Sequence, residues 1–213
     1  MSRFCADDPD PDHSLRARLH GLVGAVVWVG LVTACTASAQ NTVATGELFN
    51  GPYMSVKAPA TGKWYLKRRS DAAITFGGGV IGNTFVAEVS MFRLAPAATP
   101  KEFEALIKKN SDPEVDVDPS HPDRYELLER SVKYSSERPY PCVRYRAVTK
   151  DNRAKGTKEP QFLEMDGLYC RHPSEPTAGA AIMYSHRGLA RHSTLRDEAE
   201  SFIQGAQLVG NGK

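Results

Sequence analysis

The chain has 213 residues, 41% hydrophobic and 24% charged, with a formal net charge of +2. That composition belongs to an ordinary globular protein, and it excludes a low-complexity disordered chain and the strongly basic surface of a nucleic-acid-binding domain. A chain of this length buries enough apolar surface to fold around one core without a metal or cofactor.

From Leu19 to Ala34 the sequence reads LHGLVGAVVWVGLVTA, apolar apart from His20 and Thr33 and preceded by Arg16 and Arg18. A charged segment followed by an apolar one is the pattern of an export signal. The stretch falls short of the roughly 20 apolar residues that a membrane-spanning helix needs. Residues 1–34 are therefore expected to be a signal peptide that is removed. Val32-Thr33-Ala34-Cys35 resembles the lipobox of bacterial lipoproteins. The resemblance implies that Cys35 is lipidated and holds the protein to a membrane of the cell envelope. Thr36 after the cysteine resembles lipoproteins sorted to an outer membrane, which implies a periplasmic location. Ala37-Ser38-Ala39 offers an alternative, an ordinary signal-peptidase site whose use would leave a soluble periplasmic or secreted protein. Asp7, Asp8, Asp10 and Asp12 are out of place before an export signal, and initiation near Leu15 would remove them.

Residues 35–46 are small and polar and read as a tether, so residues 47–213 are expected to form a single domain. Tyr53–Val56 and Trp64–Lys67 read as short strands around a Pro/Gly turn. Gly77-Gly78-Gly79 reads as a flexible turn. Asn83–Leu94 alternates, which places Phe85, Ala87, Val89 and Met91 on one side of a half-buried strand.

Thr99-Pro100-Lys101-Glu102 joins a capping hydroxyl, a proline in the first turn and a glutamate at the third position, and it predicts a helix start. Phe103, Leu106 and Ile107 then form its apolar stripe. Residues 110–123 read as an acidic, proline-broken loop. Further strands are expected at Tyr125–Tyr134, Pro141–Thr149, Phe162–Arg171 and Ala180–His186. Thr194 is placed to cap a closing helix with Ala199, Phe202, Ile203 and Ala206 as its buried stripe. Successive strands with two helices predict an α+β domain built on a mainly antiparallel sheet. YMSVKAPATGKW at Tyr53–Trp64, the mid-chain helix opened by Thr-Pro, and EAESFIQGAQL near the end resemble the outline of the PsbP-like fold. That fold occurs in photosystem subunits and small bacterial lipoproteins, and the resemblance implies no catalytic residues.

Cys142 and Cys170 sit in two predicted strands, and outside the cytoplasm they invite a disulfide. Closing a loop of about 28 residues stabilises a fold by roughly 3 kcal/mol in the chain-entropy model. Asp112, Asp116, Asp118, His121 and Asp123 present oxygen and nitrogen ligands close together, but Pro113, Pro119 and Pro122 interrupt any calcium-loop spacing, and a solvated loop is the expectation. Arg171, His172, His186, Arg187 and Arg191, with His192, would form a basic anion-binding rim if the last two strands brought them together. Ser185 and His186 are strand neighbours that point to opposite faces, so they make no catalytic pair. No nucleophile elbow, zinc helix or phosphate loop is present, so no catalytic or metal-ligating residue is assigned. The sequence therefore points to a lipid-anchored, non-enzymatic binding module for a protein partner or small anion. The alternative is an envelope hydrolase or metal-dependent enzyme without a recognisable motif.

Overall fold

The computed structural model describes residues 41–111, 123–154 and 157–210. Cys35, the signal segment and the cluster from Asp112 to His121 lie outside the described residues. In chain order the elements are β1 (Thr42–Val43), β2 (Leu48–Asn50), β3 (Met54–Lys57), β4 (Trp64–Ser70), β5 (Ala73–Val80), β6 (Asn83–Arg93), α1 (Pro100–Asn110), β7 (Tyr125–Ser135), β8 (Cys142–Asp151), β9 (Gln161–Arg171), β10 (Ala178–Gly188), α2 (Leu195–Gly205) and β11 (Ala206–Leu208). Eight strands form one sheet in the order β1-β4-β5-β6-β10-β9-β8-β7, and β11-β3-β2 form a second. Every pairing is antiparallel, so the expected α+β class with two helices is what the chain adopts.

The large sheet is two meanders, β4-β5-β6 and β7-β8-β9-β10, joined where β6 and β10 pair along eleven residues. Alternation explains its two faces. Ala180, Ile182 and Tyr184 of β10 point to one side and are buried there with Phe76, Ala87, Val89 and Leu168. Ala199, Phe202 and Ile203 of α2 close over that side, together with Phe49, Met54 and Val56 of the small sheet. On the opposite face Phe103 and Ile107 of α1 pack on Leu94, Val143 and Tyr169.

The α1 signal is built as read: Thr99 Oγ1 accepts from the Glu102 backbone N–H at 3.2 Å, and Glu102 Oε2 accepts from Ala98 N–H at 2.8 Å. The expected cap of α2 is not. Thr194 makes no cap bond to the helix; its hydroxyl bonds Glu198 Oε1 at 2.8 Å instead, a carboxylate being the stronger acceptor within reach. Ala206, expected on the stripe of α2, is buried in β11, because the chain straightens there to pair with Val56. The Arg138 guanidinium donates to the Ile203 carbonyl near the end of that helix.

Two further expectations are corrected. Gly77-Gly78-Gly79 is no turn: these residues lie within β5 and pair with Val86, Phe85 and Thr84. The folded chain also starts before Glu47, since Thr42 and Val43 pair with Tyr65 and Trp64 and Val43 is buried. Polarity concealed that strand, because only one of its two residues faces the core. Cys142 and Cys170 are partners in the β8–β9 register with Cα atoms 4.1 Å apart, and they form a disulfide with an S–S distance of 2.07 Å.

Candidate functional site

One row of residues crosses the α2 side of the large sheet near its end: Val43, Trp64, Gly78, Phe85, His186, Glu164, Val148 and Glu129 are successive register partners. The row is apolar and aromatic at the β4–β6 end and, apart from Val148, ionisable from β10 outward. Gly78 contributes no side chain, which leaves a notch between Trp64 and Phe85, whose rings are 6.3 Å apart and perpendicular in tendency. A Cβ at Gly78 would stand 3.3 Å from the Trp64 ring.

The segment between β10 and α2 folds over this row and brings in His192. Its backbone N–H donates to Glu164 Oε2 at 2.7 Å, and its ring lies 5.0 Å from those of Phe85 and His186. His186 is buried between Glu164 Oε2, 3.2 Å from Nδ1, and Asn83 Oδ1, 2.7 Å from Nε2. His192 Nε2 is 2.9 Å from Glu198 Oε1, and the Tyr184 hydroxyl donates to Glu198 Oε2 at 2.8 Å.

These bonds set the charge state of Glu198. Burial opposes its ionisation, yet hydrogen bonds from His192, Thr194 and Tyr184 outweigh that cost and hold the carboxyl below its ordinary range. Burial first, and then the bond to this carboxylate, push the Tyr184 phenol well above its ordinary value. In the next row, burial disfavours the Arg144 charge, but Asp166 at 2.7 Å and Glu200 at 2.8 Å more than offset it and raise the guanidinium. Arg146 binds the second Asp166 oxygen at 2.9 Å.

Two clefts flank His192. One, of about 440 Å³, lies between the β4–β5 strands and α2 and is lined by Trp64, Tyr65, Gly78, Val80, Phe85 and Glu198 among others. The other, of about 370 Å³, mixes charged side chains such as Glu164, Asp166, Arg146 and Arg196 with apolar ones such as Val148 and Leu195. The first cleft has an apolar floor and an ionised carboxylate at its inner wall, which suits capture of a mainly apolar group. Val80 is 70% exposed and Ile81 82% exposed at the tip of the β5–β6 hairpin. Leu189, also exposed, follows Gly188, which pairs with Asn83 at the foot of that hairpin. Together they form an apolar rim beside the first cleft. Among the described residues no group of three metal-ligating side chains converges.

The predicted basic rim does not assemble. Arg171 pairs with Gly179 at the start of β10, while Arg187 lies eight residues further along that strand, about 26 Å away. The physical reason is the hairpin itself, which sets the end of β9 beside the beginning of β10. Arg171 donates to the Pro176 and Ala95 carbonyls. His172 is buried at that far end, where its Nδ1 accepts from Ser174 N–H at 3.4 Å and its ring meets Tyr53 edge-on. Arg187 points to the face opposite His186, 3.4 Å from the buried carboxylate of Asp151, and Arg191 pairs with Glu129 at 2.6 Å. Only His186, with the neighbouring His192, belongs to the site described above. Asp123, the one member of the acidic cluster within the described residues, pairs with Arg153 at 3.0 Å. Trp64, Phe85, Glu164, Tyr184 and Glu198 carried no sequence signal of a site, since each reads as ordinary core or surface until the register aligns them.

No family model matches the sequence, and no curated protein matches it either. Among solved structures it is similar to the Ran-binding protein Mog1p of Saccharomyces cerevisiae, with 10% identity, 80% of this chain and 96% of that chain covered, and a TM-score of 0.41. At that identity and TM-score the likeness says nothing about function. No helix among the described residues is long and apolar enough to cross a membrane.

Proposed function

We propose that the protein is an exported envelope protein, lipid-anchored at Cys35, whose domain of PsbP-like outline binds a protein partner without chemistry. The observation that carries the binding reading is the apolar cleft between Trp64 and His192, with Val80, Ile81 and Leu189 exposed at its side. Paired exposed aliphatic residues on a hairpin tip are costly in water unless something covers them. The occupant is an apolar side chain of the partner seated on Phe85, with the hairpin tip lying against the partner's surface. The lipobox resemblance and the polar stretch after Cys35 support the anchor.

A photo-cross-linking residue placed at Ile81 tests the docking face in living cells, with the exposed Lys109 of α1 as the control position. One discrete adduct is expected at position 81, absent at 109 and abolished by Phe85→Asp in a chain that still folds. Equal adducts at both positions, or none at 81, would overturn the reading.

One observation favours the hydrolase alternative: Tyr184, His192 and Glu198 line the same cleft, and a carboxylate bonded to an imidazole can orient it as a general base. Ester or amide hydrolysis by the purified protein that is lost in His192→Asn would select it.

A further inference from the structure

We infer that the outer side of β4 is a cationic patch that docks on anionic phospholipid next to the anchor, an inference that rests on the reading of Cys35 as the lipidated residue. Lys63, Lys67, Arg68 and Arg69 are all exposed, and none forms an ion pair among the described residues. Four cations within seven residues repel one another, so leaving them without carboxylates has a cost unless an anionic surface approaches. Three of the charged heads lie over aromatic rings, and Arg69 Nη2 also donates to the Asn50 carbonyl oxygen at 3.4 Å. The Lys63 and Lys67 ammonium groups stand 5.5 and 5.8 Å from the centre of the Tyr65 ring, and Arg69 lies over Phe49 at 5.7 Å.

Chain direction supplies the reason for a lipid surface in particular. β1 is antiparallel to β4, with Val43 opposite Trp64 and Thr42 opposite Tyr65, and Asn41 O accepts from Leu66 N–H at 3.0 Å. Traced toward its beginning, the chain therefore runs along β4 in the direction of Lys67. Cys35 precedes Thr42 by seven residues, a covalent reach of at most about 25 Å. An acyl group at Cys35 thus cannot carry the membrane far from this edge. β1 covers only Trp64 and Tyr65, so from Lys67 onward no strand among the described residues pairs with the outer side of β4. Lipid phosphates accept from Lys and bidentately from Arg. The Val80–Ile81 tip is at the far end of β5 from the turn that follows Arg69, while Lys63 at the start of β4 also lines the first cleft, so the Lys67–Arg69 end of the patch is the part that lies away from the proposed partner face.

Protein extracted from the envelope, in whatever processed form it has there, is to be partitioned onto vesicles of phosphatidylcholine alone or with a third of phosphatidylglycerol. Each cation near such a surface contributes about fivefold, so three give an anionic preference of about a hundredfold at low salt that shrinks as salt is raised. The triple variant Lys63→Gln, Lys67→Gln, Arg68→Gln should lose that preference and keep the wild-type partition onto neutral vesicles. Lys101→Gln, Lys108→Gln, Lys109→Gln on α1 removes the same charge and should keep the preference. No anionic preference in the wild type, its survival in the β4 variant, or equal loss in the α1 variant overturns the patch. So does salt-dependent binding to an acidic polypeptide with none to anionic vesicles. An anionic preference in protein without a fatty-acid label retires the anchor at Cys35 and upholds the patch.

Discussion

Glu198 gathers three donors from three places: Tyr184 on β10, His192 in the segment that follows it, and Thr194 at the start of its own helix. Its carboxyl is lowered from the ordinary value of 4.5, so its contribution to stability is present above about pH 4.5 and is lost as the pH falls through the lowered value. Tyr184 has the opposite sign. Its phenol is raised, so its contribution is present below about pH 10 and is lost as the pH rises beyond that. Tyr169, pushed up to about 12 by burial and then by Tyr145, reinforces the alkaline limb. Thermal unfolding across pH should therefore show a shallower acid-side loss in Glu198→Gln and a shallower alkaline loss in Tyr184→Phe. Slopes identical to wild type in both variants would contradict the assignment. None of this grouping was legible from spacing, since Tyr184 and Glu198 are fourteen residues apart and meet only because α2 returns over β10. Histidines could be picked out, but a sequence could not pair them: the rim drawn through Arg171 and His186 ignored the direction of the hairpin that separates them.

Elements whose pattern is local were readable. β6 alternates over its whole length and α1 carries its cap, its first-turn proline and its stripe within a few residues, so both lie where expected. β5 was missed because its glycines look like a turn, whereas they are present for close approach. At Gly79, φ is +84° and an added Cβ would stand 2.1 Å from the Asn83 carbonyl oxygen, so Gly79→Ala should cost more than about 1 kcal/mol and distort the tip that carries Val80. Denaturant unfolding checks the cost. In the small sheet β3 was read as Tyr53–Val56, but β2 and β11 were not, since three-residue strands have too few positions to show a period. The disulfide was legible because two strand-like segments each held one cysteine. It clamps β8 to β9, and Cys142→Ala with Cys170→Ala should lower stability by about 3 kcal/mol in denaturant. Unchanged stability on reduction would mean that the β8–β9 ladder alone fixes that edge.

At the scale of the molecule, fold class followed from the succession of strands, but topology did not. Nothing local says that the second meander returns to place β10 against β6, and that single long-range pairing is what puts His186 beside Phe85 and creates the site. β5 runs from the β4–β5 turn to the β5–β6 hairpin tip, so those two turns lie at opposite ends of the sheet, and β1 pairs with the start of β4, whose Trp64 faces Gly78. The chain enters the sheet at this two-residue strand, held to β4 by few hydrogen bonds and one buried valine. A pull on the preceding segment meets this strand before it meets the core. Tension directed away from the sheet peels β1 one bond at a time and frees about six residues, some 20 Å of chain. Were the domain moored through the proposed anchor, it would have a short length of slack to give up and take back, and jolts along the mooring would be spent on β1 before they strained the disulfide-clamped strands behind it.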